Sequence, residues 1–283
     1  MKHKLTVIIP CKNERKNIRP CVLSAKLVAD EILVADSGST DGTLDIVRSL
    51  GGCRIVEREY VNSGNFKNWA IPQAAHEWVL IVDSDERVTP ELAQEINALL
   101  AGKPLRDGYQ IYRANYFLGH RVRYAGWGAD KVLRLFRRDL GRYEGESDHA
   151  EVGIRGGKVG KLRHRLEHFT YWTYDQYFQK LQRYTVQGAQ NKFQAGRRAN
   201  FWAMLLAMPF RFLHCYIFRL GFLDGLVGLQ LSVLTGFSSF AKQLRMWEMQ
   251  HALTQPDPET ARHADIPAQQ NSASHDASRR DAA

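Results

Sequence analysis

The amino-acid sequence predicts an α/β fold: a mostly parallel sheet with helices on both faces, extended by C-terminal amphipathic helices. Three observations predict it. Short apolar runs at 5–9, 31–35, 53–57 and 78–82 alternate with helical stretches over the first hundred residues. Two of those runs, LTVII and WVLIV, are apolar but for Thr6, as strands buried on both faces are, and the links between runs are short enough for β-α-β crossovers. Beyond residue 200 the pattern changes to long segments rich in Leu, Phe and Met.

The elements follow in order. Residues 5–9 form a first strand that ends at Pro10. Residues 14–29 read as a helix entered or interrupted at Pro20. EILVA (31–35) is the second strand, and Ser39-Thr40-Asp41-Gly42 turns the chain into a helix over 43–50. CRIVE (53–57) is the third strand, a helix covers 65–75, and WVLIV (78–82) is the fourth strand, stopping at Asp83-Ser84-Asp85. Thr89 as N-cap with Pro90 at the first helical position starts a helix that runs to about Leu100. Strands are expected at 109–117 and 131–136, with glycines at 119, 126, 128, 141 and 145 marking loops. Residues 173–195 read as a helix, and 201–249 as helices broken near Pro209, Gly221 and Gly236. The polar stretch 253–283 has no periodic apolar face and is expected to be a disordered tail.

Composition narrows the function classes. With 283 residues, 44% of them hydrophobic, the chain can bury a sizeable core and is not disordered throughout. Four cysteines lie far apart with no C-x-x-C, which argues against a disulfide scaffold and a cysteine-rich zinc site and fits a reducing compartment. The apolar run near the start is too short for a secretion signal. The net charge of +9 is uneven: residues 101–250 carry 24 Lys and Arg against 11 Asp and Glu. Such a block suits an anionic partner or an anionic membrane face. No RNA-binding signature appears, so a nucleic-acid partner is not expected. The stretches 201–218 and 220–241 carry Arg211, His214 and Asp224, so helices lying in one leaflet are expected rather than clean spans. Arg183, Arg197, Arg198, Arg211 and Arg219 are the candidates to meet lipid phosphates.

Three polar segments fall at predicted strand ends: Pro10 to Glu14, Asp36 to Thr43, and Asp83 to Glu86. In a parallel sheet they open at one edge, where ligands bind. Together, VIIPCKNE (7–14), EILVADSGSTDGT (31–43) and VLIVDSDE (79–86) resemble the family 2 glycosyltransferases, which have the GT-A fold. GWGADKVLRLFRRDLGRY (126–143) and GFLDG (221–225) are similar to the lipopolysaccharide core β-glucosyltransferase subgroup. The adjacent His-Glu pair common in that subgroup is interrupted here, as His149-Ala150-Glu151.

The resemblance implies a GT-A domain made of a nucleotide-sugar-binding half (1–105) and an acceptor-side half (106–172). A membrane-associating helical region (173–250) and the tail (251–283) follow. It implies an inverting, metal-dependent transfer from a UDP-sugar, UDP-glucose being the first candidate, to a lipopolysaccharide-core or other lipid-linked acceptor. The enzyme would sit peripherally on the cytoplasmic face of the inner membrane. Asp36 is expected on the uracil, Pro10 and Glu14 around base and ribose, and Lys67 on the nucleotide. Asp83 and Asp85 are expected at ribose and metal, the metal being Mg²⁺ or Mn²⁺, which favour oxygen ligands. Asp130 is the expected base for the acceptor hydroxyl, with Glu146, Asp148 and Glu151 as rivals. Arg134 and Arg137 are candidates to steady phosphate or acceptor. Gln182-Arg183-Tyr184 lacks the spacing of the processive Q-x-x-R-W signature, which points to single addition.

Two other readings remain open at this point. His164-Arg165-Leu166-Glu167-His168 matches H-x-x-E-H, which on a helix would mark a zinc hydrolase. A basic membrane adaptor without catalysis is the other.

Overall fold

A computed structural model of the protein describes residues 2–144 and 151–251. Four parallel strands form one half of the main sheet: β1 (Leu5–Cys11), β2 (Glu31–Asp36), β3 (Cys53–Glu57) and β4 (Trp78–Ile81), in the order β3-β2-β1-β4. β1 lies between β2 and β4, and Leu5, Val7, Ile8 and Ile9 are fully buried. Its continuous apolar run is what burial on both faces requires. α1 (Ile18–Ala25), α2 (Thr43–Leu50) and α3 (Ser63–Ala70) connect these strands. α1 and α3 are shorter than the segments expected to be helical, and α3 runs on into a 3₁₀ turn at Ile71–Gln73.

The other half corrects the mostly parallel expectation. After β5 (Glu86–Val88) and α4 (Pro90–Ala101) come β6 (Gly108–Phe117), β7 (His120–Val122) and β8 (Lys131–Arg137). β9 (Gly141–Glu144) and β10 (Glu151–Ile154) form a separate antiparallel pair, followed by β11 (Val159–Tyr171). The sheet continues β4-β8-β6-β11-β5; β8 runs antiparallel to both its neighbours, and β5 runs antiparallel to β11. The two expected halves therefore share one nine-stranded mixed sheet. Five of the strands in 86–171, β5, β7, β9, β10 and β11, were not anticipated. α4 is capped as expected, with the Thr89 hydroxyl accepting from the Leu92 N–H at 3.2 Å.

α5 (Tyr174–Gln194) packs against α7 (Gly225–Gln250), and α6 (Phe201–Leu213) lies along α7. A π turn at His214–Phe218 and a 3₁₀ turn at Gly221–Asp224 join the last two. Neither Pro209 nor Gly236 breaks a helix, contrary to the composition reading. Gly236 instead permits close packing: a Cβ there would sit 2.9 Å from the Met208 carbonyl oxygen of α6. The GFLDG turn is also structural. Its Asp224 carboxylate accepts from the N–H groups of Arg123 and Tyr124, tying the helices to the loop after β7. α6 buries none of its side chains within the chain. Phe201, Trp202, Phe210, Phe218 and Leu226 project outward.

Candidate active site

The first two motifs are laced into one rim. Gly38 and Gly42 take φ values of +88° and +87°, which let the DSGSTDGT turn fold back on itself. Asp36 is fully buried at the end of β2. Its carboxylate accepts from the N–H groups of Gly38 and Ser39, both at 2.8 Å, and from the Ser39 hydroxyl. The Ser39 hydroxyl in turn accepts from the Asn13 backbone N–H, and the Asn13 side-chain Oδ1 accepts from the Thr40 N–H. Thr43 accepts from the Glu14 N–H at 2.8 Å. Asp36 thus organises the turn, with its carboxylate enclosed by these donors.

Beside this rim lies a cleft of about 330 Å³, lined by Asn13, Glu14, Asn17, Asp85, Trp172 and Lys180, among others. Arg183 lines it too, not a lipid-facing surface. Tyr116, Phe169 and Trp172 stack in succession at 4.7 and 5.1 Å beside the cleft. Trp172 Nε1 donates to Asn17 at 2.8 Å, pinning the end of β11 to the turn before α1. Burial pushes the Glu14 carboxyl up; the hydrogen bond from Asn17 offsets only part of this.

Asp85 faces His168 of β11, with Oδ2 and Nε2 3.6 Å apart. Asn115 decides what that contact is. Its amide nitrogen donates to the Trp127 carbonyl and to Asp130, so its oxygen is left to accept. That oxygen lies 2.7 Å from His168 Nδ1, which must therefore donate. In the neutral ring the Nε2 lone pair then points at a carboxylate. Two acceptors converging on one point suit a shared cation, and an imidazole oriented through its other nitrogen is a usual arrangement for a ligand. The pair fits a divalent ion whose remaining ligands come from a diphosphate and water. Among the described residues no group of three such ligands occurs.

Asp83 belongs elsewhere. Its Oδ1 pairs with Lys67 Nζ at 2.7 Å and its Oδ2 with Arg134. Arg134 also holds the fully buried Glu86 at 3.1 Å, Glu86 lies 3.5 Å from Arg113, and Arg113 pairs with Asp130 at 2.7 Å. Lys67, Asp83, Arg134, Glu86, Arg113 and Asp130 thus alternate in sign along one chain through the sheet. Burial alone would raise the Asp83 carboxyl, but Arg134 and Lys67 hold it well below the usual carboxylate range. Both Asp83 oxygens are engaged by Lys67 and Arg134, while Asp85, at the other end of the D-x-D segment, lines the cleft. Lys67 serves Asp83 instead of reaching into the cleft. Arg134 is buried and structural, and Arg137 pairs with Glu77 and Asp139, away from the cleft. Arg113 and Asn115 both contact Asp130 at Oδ2; among the described residues none reaches Oδ1.

The family model of Glycosyl transferase family 2 matches residues 6–154, more than half of the chain and the whole of both motif-bearing halves of the sheet up to β10. The chain belongs to that family. It is also similar to the lipopolysaccharide core biosynthesis glycosyltransferase LpsC of Rhizobium meliloti (strain 1021). The two are 29% identical over 243 residues, which cover 82% of this chain and 90% of the relative. An uncharacterized glycosyltransferase of Rickettsia typhi is 24% identical over 257 residues, 87% of each chain. Among solved structures, S. aureus TarS 1-349 in complex with UDP-GlcNAc is 18% identical, covers 89% of this chain and 84% of its own, and has a TM-score of 0.44.

This glycosyltransferase gathers Glu14, Asp85 and Asp130 on one edge of its sheet, with Pro10 half-buried at the end of β1. His168 and Asn115 were missed, although His168 stood in the H-x-x-E-H match. That match lies on β11, an extended strand, and its two histidines bond different partners: His164 pairs with Glu95 at 2.9 Å. The zinc-hydrolase reading needs them on one helix face, so it fails. Of the rival bases, Glu151 is exposed on β10, while Glu146, Asp148 and His149 lie outside the described residues, as does the tail beyond 251.

Proposed function

We propose that this glycosyltransferase moves one sugar, with inversion, from a UDP-sugar to a lipopolysaccharide-core or other lipid-linked acceptor at an anionic membrane surface. The observation that carries the reading is the succession Asp85, His168, Asn115, Asp130, joined contact by contact from the cleft to the base. Glu14, Asn17 and the stacked Trp172 frame the nucleoside side of the cleft; Lys180 and Arg183 bring positive charge to the diphosphate side. Asp85 and His168 would hold a Mg²⁺ or Mn²⁺, which would supply neutralisation of the charge on departing UDP. Asn115 orients both His168 and Asp130, and Asp130 Oδ1 takes the proton of the acceptor hydroxyl as the sugar carbon acquires oxocarbenium character. The name of the LpsC relative supports a lipopolysaccharide-core acceptor.

A thermal-shift panel of nucleotide sugars with and without Mn²⁺ tests the donor and the metal together, because the matching ligand raises stability by mass action. No metal-dependent shift with any UDP-sugar would defeat the reading. Asp130→Asn is expected to bind the donor as the native enzyme does and to lose transfer by roughly 10²–10⁴-fold. Full transfer by that variant places the base elsewhere.

The membrane contact rests on α6 and α7. The segments Phe201–Phe218 and Gly221–Gln250 are long and apolar enough to cross a bilayer, and both are mostly unburied within the chain. Arg211 and Arg219 lie within or beside the apolar face, which favours helices lying in one leaflet with the guanidinium groups at lipid phosphates. A peripheral position on the cytoplasmic face of a bacterial-type inner membrane is part of this proposal; the four free thiols, which persist in a reducing compartment, support it. Phe210 and Phe218 are 72% and 76% exposed. The double variant Phe210→Glu/Phe218→Glu should shift from the pellet to the supernatant in co-sedimentation with phosphatidylglycerol vesicles. Unchanged sedimentation would remove the anchor from these helices.

A further inference from the structure

A second recess, of about 210 Å³, is joined to Asp130 through that residue's ion-pair partner Arg113, which lines it. Four arginines line it: Arg113, Arg121, Arg123 and Arg165, with Tyr124 and Gly128 completing the wall. Arg113 is already committed to Asp130 and Glu86. The other three have no carboxylate within ion-pair distance among the described residues. Arg165 is held in place by the carbonyl oxygens of Arg113 and Gly128, both at 3.2 Å, and by the face of Tyr112. Three uncompensated guanidinium groups around one concavity repel one another unless an anion joins them. Their planar forks match the oxygens of a phosphate or carboxylate.

We propose that this recess binds an oxyanion, a phosphate monoester or carboxylate, carried by the acceptor. The position argues for the acceptor. Donor cleft, Asp85, His168, Asn115, Asp130, Arg113 and recess follow one another in contact, so an anion in the recess lies across the base from the donor. Asp224 anchors the backbone of Arg123 and Tyr124 to the turn before α7, so the recess also adjoins the proposed lipid-facing helices. An amphiphile with an anionic saccharide head is held at both ends by this arrangement. The proposal rests on the glycosyltransfer reading above and adds the charge of its acceptor.

The test uses the full chain in detergent micelles with the donor cleft saturated by UDP and Mn²⁺. Inorganic phosphate is titrated calorimetrically. The native protein should bind it, and Arg121→Gln/Arg165→Gln should bind about tenfold more weakly per arginine removed, with Mn²⁺-UDP binding unchanged. Arg121→Gln/Arg123→Gln, which changes only exposed side chains, gives the same reading if the first variant folds poorly. No phosphate binding by the native protein, or equal binding by the variants, overturns the recess as an anion site. In transfer assays on intact and dephosphorylated lipopolysaccharide core, the variants should raise the acceptor KM for the intact core alone, leaving kcat and donor KM in place. If vesicle binding to phosphatidylglycerol falls and acceptor KM does not, the anion is a bulk lipid headgroup and the acceptor assignment is overturned. If the native enzyme transfers no sugar to any core acceptor, the reading of function fails while the phosphate titration still decides the recess.

Discussion

Asp85→Ala is expected to lower turnover by about 10³-fold or more, since a catalytic cation supplies several kcal/mol of charge stabilisation and each 1.4 kcal/mol is a factor of ten. The variant should bind UDP equally with and without Mn²⁺, at the affinity the native enzyme shows without metal. His168→Ala should lose the same metal-dependent increment, because the carboxylate and the ring nitrogen face one point 3.6 Å across. Asp83→Asn makes a useful contrast. Asp83 is tied to Lys67 and Arg134, so its loss should show as lower stability before it shows in metal dependence. Unchanged turnover in Asp85→Ala refutes the metal assignment. Loss of metal dependence in Asp83→Asn but not in His168→Ala would move the ion to the other end of the D-x-D segment.

Arg134→Ala should be the most destabilising single change in the site. It leaves Asp83 and the fully buried Glu86 without their shared cation. Breaking a buried pair by removing one partner costs about 3–5 kcal/mol. At ~2–4 °C per kcal/mol for a chain of this size, the melting temperature should fall by roughly 6–20 °C. Arg137→Ala, three residues away on the same strand, removes a half-exposed pair with Glu77 and should cost no more than about 1 kcal/mol. The pH dependence has a definite sign. In the native protein the Asp83 carboxyl is held well below its ordinary value, so its contribution is present at neutral pH and is lost as pH falls through the acid range. In Arg134→Ala, Asp83 keeps only Lys67, and its protonation in acid relieves part of the penalty. The gap between the two melting temperatures should therefore narrow on acidification. A constant gap, or equal effects of the two arginine changes, would mean that the alternating chain of charges does not hold this part of the sheet.

The residues at the sheet edge were legible because each is announced by what precedes it. LTVII, EILVA and WVLIV are runs whose chemistry allows little but a buried strand, and the polar segments after them must then emerge at the same edge. The Thr89-Pro90 start of α4 was legible for the same local reason. What those polar residues do at the edge was not. Asp36 and Asp83 look like ligands of a nucleotide in sequence, yet one is buried in its own turn and the other between Lys67 and Arg134. Lys67 and Arg134 lie 16 and 51 positions from Asp83, beyond any pattern that local spacing carries.

By itself, then, the sequence determined the parallel half of the sheet, the three motif-bearing strand ends and the apolar character of 201–250, since hydrophobic periodicity and capping act between near neighbours. Only the tertiary structure decided that β8 enters antiparallel beside β4, that β11 extends through the H-x-x-E-H match, and that His168 meets Asp85 and Asn115. Strand order made those decisions. It is set by how whole elements bury their faces against one another, and it brings together side chains that no local preference relates.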